Sequence, residues 1–595
     1  MQNRQAPNPP TRSASPAALA CDLLVVGSGA GGLATAVTAA RLGLDVIVVE
    51  KDARIGGTSA WSGGWMWIPG NPFARAQGVD DAQACRTYLR YELGALYDED
   101  MVETYLAQGP RMVEFFRRAT CLEFINGPSI PDFHGNSPGA ALGQRAICAA
   151  PFDGRELGDA MALLKPPLDL ISPFGMGVAT LEFAHFVNFL RNRRSTLHVL
   201  RRVLRHWADR VRHGQGMYLV NGNALVARLL KSALDAGVRL LPSAPAQSLL
   251  LEDGAAVGAR LLVSGEPVEI RARRGVVLAA GGFPFDAARR ARMFPHTPTG
   301  REHWSAAPAT NSGDGLRLGE SAGGRVRTDG KAPAGWAPVS LVPRPDGSCA
   351  HFPHLGMDRA KPGVIMVRPD GQRFCNEADS YHDVVSALFA ATAPGETPQA
   401  WMVCDHAALR RWGLGRVRPA PFPVGTWLRN GYLKKGRSIA ELAGQCGIPP
   451  ASLERTIARF NEAVRSGRDA DFQRGEVAFN RGYGDPGQKP NPCLGPLQTG
   501  PFYAIRIVPG SLSTFAGLIT DPSARVLDDR GEPVRGLYAV GNDMASIGRG
   551  NYPTGGFTLG PAMTFGFIAA HHACGIPLAG RAQQRDAEPA PEYVP

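Results

Sequence analysis

The chain has 595 residues, 44% of them hydrophobic and 20% charged. These proportions exclude a disordered or fibrous polymer, and the length exceeds what one ordinary hydrophobic core needs. Lys and Arg number 64 against 53 Asp and Glu, a formal charge of +11, which suits anionic partners without choosing among a phosphorylated cofactor, an acidic membrane surface and nucleic acid.

Ten cysteines are scattered without a CxxC pair, so the sequence offers neither a zinc knuckle nor a thioredoxin-type site, and no metal centre is expected. Reduced thiols in a cytoplasmic protein are the expectation. No apolar run is long enough to span a bilayer. Residues 1–18, rich in Pro, Ser, Ala and Asn, and residues 581–595 are expected to be tails without structure.

The first predicted element is a buried strand over Leu23–Val26. Gly27, Gly29 and Gly32 follow with GxGxxG spacing, enclosing Ala30 and Gly31. The first glycine permits a tight turn, the second lets backbone approach a pyrophosphate, and the third lets the next helix pack closely. That helix, from about Gly31 to Leu42, aims its N-terminal N–H groups at the phosphates. A second strand, Val46–Val49, ends in Glu50, whose carboxylate suits ribose hydroxyls. Strand, glycines, helix, strand and acid in order within one short unit predict a dinucleotide cradle.

Lys51 then leads into Gly57–Thr58–Ser59 and Ser62–Gly63–Gly64. This EKxxxxGGTS…SGG pattern resembles the flavoprotein family that includes fumarate reductase flavoprotein subunits and 3-oxosteroid dehydrogenases. The resemblance implies that these residues wrap the pyrophosphate and ribityl chain of FAD. The stretch carries no histidine for a covalent link, so non-covalent FAD is expected.

Further along, Trp61, Trp65, Trp67 and Phe73 read either as the lining of a pocket for a large ring system or as core. Between Leu197 and Val211, apolar residues fall on one helical face amid eight arginines from Arg191 to Arg212. This basic insertion, about 165–214, reads first as a surface helix packing its stripe on the body. Its alternative is a helix lying on an anionic membrane. A helix from Asn221 to about Leu234, a strand near Val238–Leu241, and a hairpin over Ala246–Val263 come next. A buried strand then reaches Gly281, a second approach to FAD by the resemblance, which also draws Ala246 to the cofactor. No second GxGxxG follows, so no separate NAD(P)H-binding domain is expected.

Near the C-terminus, a strand from Gly536 ends at Gly541–Asn542. The stretch Tyr552–Pro553–Thr554–Gly555–Gly556 then precedes a helix opening at about Leu559, all by resemblance beside the flavin. The expected fold is α/β: a discontinuous Rossmann-type FAD-binding domain (19–300 and 510–580) with an inserted α+β capping and catalytic domain (301–509).

This last segment resembles 3-oxosteroid dehydrogenases closely. An ungapped count places Tyr552 where fumarate reductases carry a catalytic arginine. Tyrosine cannot neutralise a dicarboxylate, but it can donate a hydrogen bond to a ketone. Arg549, three positions away, keeps an enoic- or dicarboxylic-acid substrate as the alternative. By the resemblance, Tyr552 O–H and Gly556 N–H form an oxyanion hole for a ketone oxygen. Tyr381, in a unit resembling RFxNEsxxYxD, is the catalytic base. A further assisting tyrosine of 3-oxosteroid 1-dehydrogenases is replaced here at Phe133–His134, where only His134 could relay a proton.

The expected activity is desaturation of a C–C bond next to a ketone, in a 3-oxosteroid forming a 1-ene or 4-ene. A quinone or carrier would act as external electron acceptor. The enzyme is expected in the cytoplasm, with peripheral contact at the inner membrane face as the further reading. With no helix-turn-helix, zinc-finger or RNA-binding signature, a nucleic-acid partner is not expected.

Overall fold

The computed structural model describes residues 19–578, so the expected tails, 1–18 and 581–595, lie outside the described residues. Strand β1 (Leu19–Val26) carries a fully buried apolar run at its second half. It leads through Gly27 into helix α1 (Ala30–Arg41) and back into β2 (Val46–Val49). Trp65–Trp67 forms a short strand, β3, and Ala82–Leu93 a helix, α2. After the excursion that holds helix α3 (Arg193–His213) come helix α4 (Asn221–Asp235), strand β4 (Arg239–Leu241) and strand β5 (Glu266–Leu278).

The main sheet has eight strands. Its central order places β5, β1, β2 and β4 side by side and parallel, with the hairpin Ala246–Val263 paired to the outer part of β5. A strand buried on both faces needs apolar residues at every position, which is why β1 and β2 read as unbroken apolar runs.

A second sheet of six strands is built from later residues, among them β6 (Ala334–Pro343). Helix α5 (Tyr381–Ala391) packs on β6. Strand β7 (Phe502–Thr514) runs through the middle of this sheet. The chain then returns: β8 (Pro533–Ala539) pairs parallel with β5, and helix α6 (Leu559–Cys574) packs across α1. Position 510, expected as the point of return, falls inside β7. The reason is that this strand stays hydrogen-bonded to β6 as far as Thr514.

Helices α1 and α6 cross closely because both are lined by small residues. A methyl on Gly566 would come within 2.6 Å of Gly31 O. The crossing brings the start of α1 beside the first turn of α6 and the end of β8, with Gly31 facing Ala562 O and Gly541 N.

The basic helix departs from the favoured expectation. Its apolar stripe does not pack on the body. Leu204 is 69% and Val211 84% exposed, while Ser195, Arg202, His206 and Asp209 are buried. The inner face is held by polar bonds, so the stripe is free to point outward. Among the described residues, no helix is long and apolar enough to cross a membrane. None of the ten cysteines is paired.

Candidate active site

The glycines of the first turn divide into two groups. Gly27 has φ +110°, and a methyl there would come within 2.2 Å of Ala279 O; one on Gly32 would strike Gly27 O at 2.0 Å. These two are close-packing positions. A methyl on Gly57 would meet nothing within 4 Å, one on Gly29 would meet only Ser59 Oγ at 3.5 Å, and one on Gly541 only Ala562 Cβ at 4.0 Å. These three border open space at the convergent starts of α1 and α6.

Around this space the backbone is tied by short polar side chains. Ala30 N–H donates to Ser59 Oγ at 3.0 Å, and Asn311 Nδ2 donates to Thr58 Oγ1 at 2.9 Å. Ser62 Oγ donates to Ser59 O, and Ser62 O accepts from Gly222 N, which seats Gly63 and Gly64 on α4. Gly64 is a close-packing residue there, a methyl on it meeting Asn221 C at 2.5 Å.

Glu50 Oε2 accepts from Ser28 N at 3.0 Å and Ser28 Oγ at 2.5 Å, and Oε1 accepts from Asp52 N at 2.8 Å. A carboxylate has about four acceptor positions, so roughly one remains for a ribose hydroxyl. Burial pushes its carboxyl up, against those hydrogen bonds. Lys51 points elsewhere, pairing with Asp314 at 2.8 Å and Ser312 at 2.6 Å.

Two residues not singled out in the sequence hold the cradle together. Ser28, fully buried, also accepts from Gly56 N at 3.0 Å. Asp543, fully buried, accepts from Ala280 N and Gly282 N and so fastens the loop after β5 to the loop after β8. Burial raises the Asp543 carboxyl to about 6. An acid directly after Gly541–Asn542 was the available signal.

Gly281, φ +90°, abuts Asn311. Gly541 and Asn542 line a cavity shared with Thr514, Phe515, Phe557, Thr558 and Ala562. Leu559 opens α6 beside it, and Ala246 lies buried with its carbonyl toward Arg317. Two helix starts and glycines with open faces fit a pyrophosphate-bearing dinucleotide, whose negative charge such ends favour.

The chemistry-bearing residues meet next to this cavity. Tyr381 is the first residue of α5, seated by the Ser380 N-cap, whose Oγ accepts from Asp383 N. Its hydroxyl donates to that of Tyr552 at 2.8 Å. Phe133 lies edge-on to both rings, 5.7 Å from each, and Phe515 is 5.4 Å from Tyr552. Gly555 also adjoins Phe133, at 3.5 Å from a methyl placed on it.

Gly556, φ +91°, is pressed on the backbone of β3, and its carbonyl accepts from Trp67 N. Its own N–H has no acceptor among the described residues. Pro553 O accepts from Tyr88 Oη at 2.6 Å and from Phe133 N at 3.1 Å, which fixes the loop that presents Tyr552. Burial, then the neighbouring Tyr552, pushes the Tyr381 phenol well above its ordinary value. Burial also raises Tyr552, against the hydrogen bond it accepts from Tyr381.

His134 sits beside this group, held between two carboxylates. Its Nδ1 bonds Glu92 Oε2 at 2.6 Å, and its Nε2 bonds Asp383 Oδ2 at 2.9 Å. Burial disfavours the charged ring, but the two carboxylates outweigh it and hold the pKa at about 10. Both nitrogens are spent, and the ring clamps α2 to α5.

The aromatics around residue 65 also differ from a pocket lining. Trp67 is buried, donates to Asp132 and stacks on Tyr105, and Phe73 lies under Arg117. The cage is built instead by Phe133, Phe479, Phe515 and the tyrosine pair. Arg549 pairs with Asp329 at 3.1 Å.

A family model described as FAD binding domain matches residues 22–559. The 4-oxocyclohex-2-ene-1-carboxylate 5-dehydrogenase of Sinomonas cyclohexanicum is 40% identical, over 93% of each chain. The 3-oxosteroid 1-dehydrogenase of Mycobacterium tuberculosis is 36% identical, over 93% of this chain and 98% of its own. The crystal structure of 3-ketosteroid delta1-dehydrogenase from Sterolibacterium denitrificans in complex with 1,4-androstadiene-3,17-dione superposes with a TM-score of 0.86. It is 35% identical, over 93% of this chain and 99% of that one. A flavocytochrome c3 fumarate reductase shares the fold at a TM-score of 0.62 and 22% identity.

Proposed function

We propose that this chain, which belongs to the FAD binding domain family and is an FAD-dependent dehydrogenase of the 3-oxosteroid dehydrogenase type, desaturates the C–C bond next to a ring ketone. The observation that carries the reading is the Tyr381–Tyr552 pair, hydrogen-bonded at 2.8 Å beside the unspent Gly556 N–H. FAD, when bound, supplies the hydride acceptor.

The protein's own groups do the rest. Tyr552 O–H and Gly556 N–H hold the ketone oxygen and stabilise charge that develops there, which acidifies the adjacent C–H. Tyr381 takes that proton at its phenolic oxygen. Phe133 and Phe515 keep water from the reacting carbons. A steroid of the 3-oxo class, giving a 1-ene or 4-ene, suits the aromatic cage, with a quinone or carrier as external electron acceptor and the cytoplasm as working compartment. We assign the substrate-capping part to the six-stranded sheet and its helices, and the cofactor-binding part to the eight-stranded sheet.

A smaller ring acid is the second reading. Lys331 is exposed and acts electrostatically on His382, whose ring lies 5.9 Å from Tyr552. Lys331 N also donates to Arg549 O, which ties the loop of Lys331 to the loop that leads into Tyr552. That placement supports a cyclic ketone bearing a carboxylate, the substrate type named for the Sinomonas relative.

Anaerobic mixing decides between them. Bleaching of the yellow protein by a 3-oxosteroid supports the first reading, and bleaching by 4-oxocyclohexanecarboxylate alone supports the second. Failure with both ketones, with re-oxidation of the reduced protein by fumarate, would overturn the proposal. Replacing Tyr552 by Phe should leave FAD bound and lower kcat by about 10²–10³-fold, the usual cost of one oxyanion donor.

A further inference from the structure

We infer that helix α3 is the surface by which the enzyme docks on an anionic lipid bilayer. The helix is inverted relative to an ordinary surface helix, which hides its apolar stripe. Its packed face is mostly polar, with Val199 the one apolar residue buried in it. Arg202 donates to Gly177 O at 3.0 Å and pairs with Glu182 at 3.3 Å, His206 bonds Phe174 O at 3.0 Å, and Asp209 accepts from Met217 N at 3.2 Å.

The outward face is apolar. Leu197, Leu200, Leu204, Trp207 and Val211 are 46–84% exposed. At about 100° per residue they share an arc of roughly 80°. Arg194, Arg201, Arg205 and Arg212, all exposed, follow along one edge of that arc. The one carboxylate of the helix, Asp209, is buried. Leu181 and Leu190, 60% and 61% exposed, continue the apolar surface on the preceding segment.

A bilayer rich in anionic lipid answers both features. Its phosphates accept the guanidinium groups, and its acyl boundary takes the leucines, with Trp207 at the interface. A second copy of the chain answers only one. A two-fold contact would gather two such arginine sets at one interface, with no exposed carboxylate on either helix to offset them.

The position has chemical sense as well. The segment leading to α3 accepts, through Thr180 Oγ1, a hydrogen bond from Trp65 Nε1 at 3.2 Å. Trp65 belongs to β3, against whose backbone Gly556 is pressed. The segment on which α3 rests, through Glu182 and Arg202, is therefore one hydrogen bond from the strand that backs the ketone site. The inference holds for either ring substrate and does not rest on the choice between them.

Sedimentation of the holoenzyme with vesicles tests it. We expect binding to phosphatidylglycerol–phosphatidylcholine vesicles at least about tenfold stronger than to phosphatidylcholine alone, and lost in high salt. Leu204→Glu with Trp207→Glu, and separately Arg201→Glu with Arg205→Glu, should abolish it while the yellow colour and dye-coupled turnover stay unchanged. Val211→Glu, at the most exposed position, serves as a control should the first pair fold poorly. No binding at low salt, equal binding by all variants, or a dimer that Val211→Glu dissolves would overturn the inference.

Discussion

His134 shows how one side chain changes role with its neighbours. A histidine at an assisting position invites a relay, yet two carboxylates convert it to a charged clamp between α2 and α5. Its folded pKa, about 10, lies above the ordinary value of about 6.5. The clamp therefore contributes fully below about pH 6.5 and is lost as pH rises through about 10. Thermal melting of Glu92→Gln against the unaltered enzyme should show a deficit near neutral pH that closes in strong alkali. A constant deficit would mean that Glu92 acts by packing alone. Tyr381 has the opposite consequence, on rate. A buried phenol held above its ordinary pKa is unprotonated only at high pH, so turnover should climb toward alkaline pH, and Tyr381→Phe should lose both activity and that limb. Neither environment was legible from residue type, because Glu92, His134, Tyr381 and Asp383 are brought together only by the packing of three separate segments.

At the scale of elements, the cofactor turn was legible almost residue by residue. The apolar runs of β1 and β2, the spaced glycines and the terminal Glu50 each follow from a local requirement that leaves a local mark. What the spacing did not distinguish was which glycines face the cofactor. Gly29 has φ −68° and an open face, so Gly29→Ala should fold, keep the melting temperature of the cofactor-free protein and lose FAD severalfold. Gly32→Ala, with Gly27 O 2.0 Å away from the added methyl, should instead be recovered poorly or melt well below it. Absorbance at the flavin band and melting curves of both separate the two roles. The basic helix was legible as a helix but not as an inverted one. Arg202, His206 and Asp209 take partners from the segments just before and just after the helix, at Phe174, Gly177, Glu182 and Met217, and periodicity alone favours the apolar side as the inner one.

For the whole molecule, the paired ends of the cofactor sheet could be read because both ends carry glycine-rich signatures. The six-stranded sheet could not. Four of its six strands have five residues or fewer, and β6 and β7, which pair directly, are separated by about 160 residues of intervening chain. Such non-local pairing leaves no periodic trace within a window. The same arrangement lets substrate choice vary while the cradle stays constant, since Lys331 and Arg549 belong to loops outside the main sheet. Lys331→Ala should raise KM about tenfold for a carboxylate-bearing ketone, as lost charge recognition predicts, and leave it unchanged for a neutral steroid. Equal effects on both would remove the case for the smaller acid.

The pairing of β8 with β5, and of α6 with α1, has a consequence for biosynthesis. The ribosome delivers the glycine turn first, and its roof only after the long stretch between Gly27 and Leu559 has emerged. The nascent chain must therefore wait, with β5 lacking its β8 neighbour and α1 lacking α6, until Leu559–Cys574 has been made. Yellow colour should be absent from a chain arrested before Leu559 and should arise only once α6 is free to pack on α1, which makes the cofactor a late guest of a pocket whose two halves are made far apart in time.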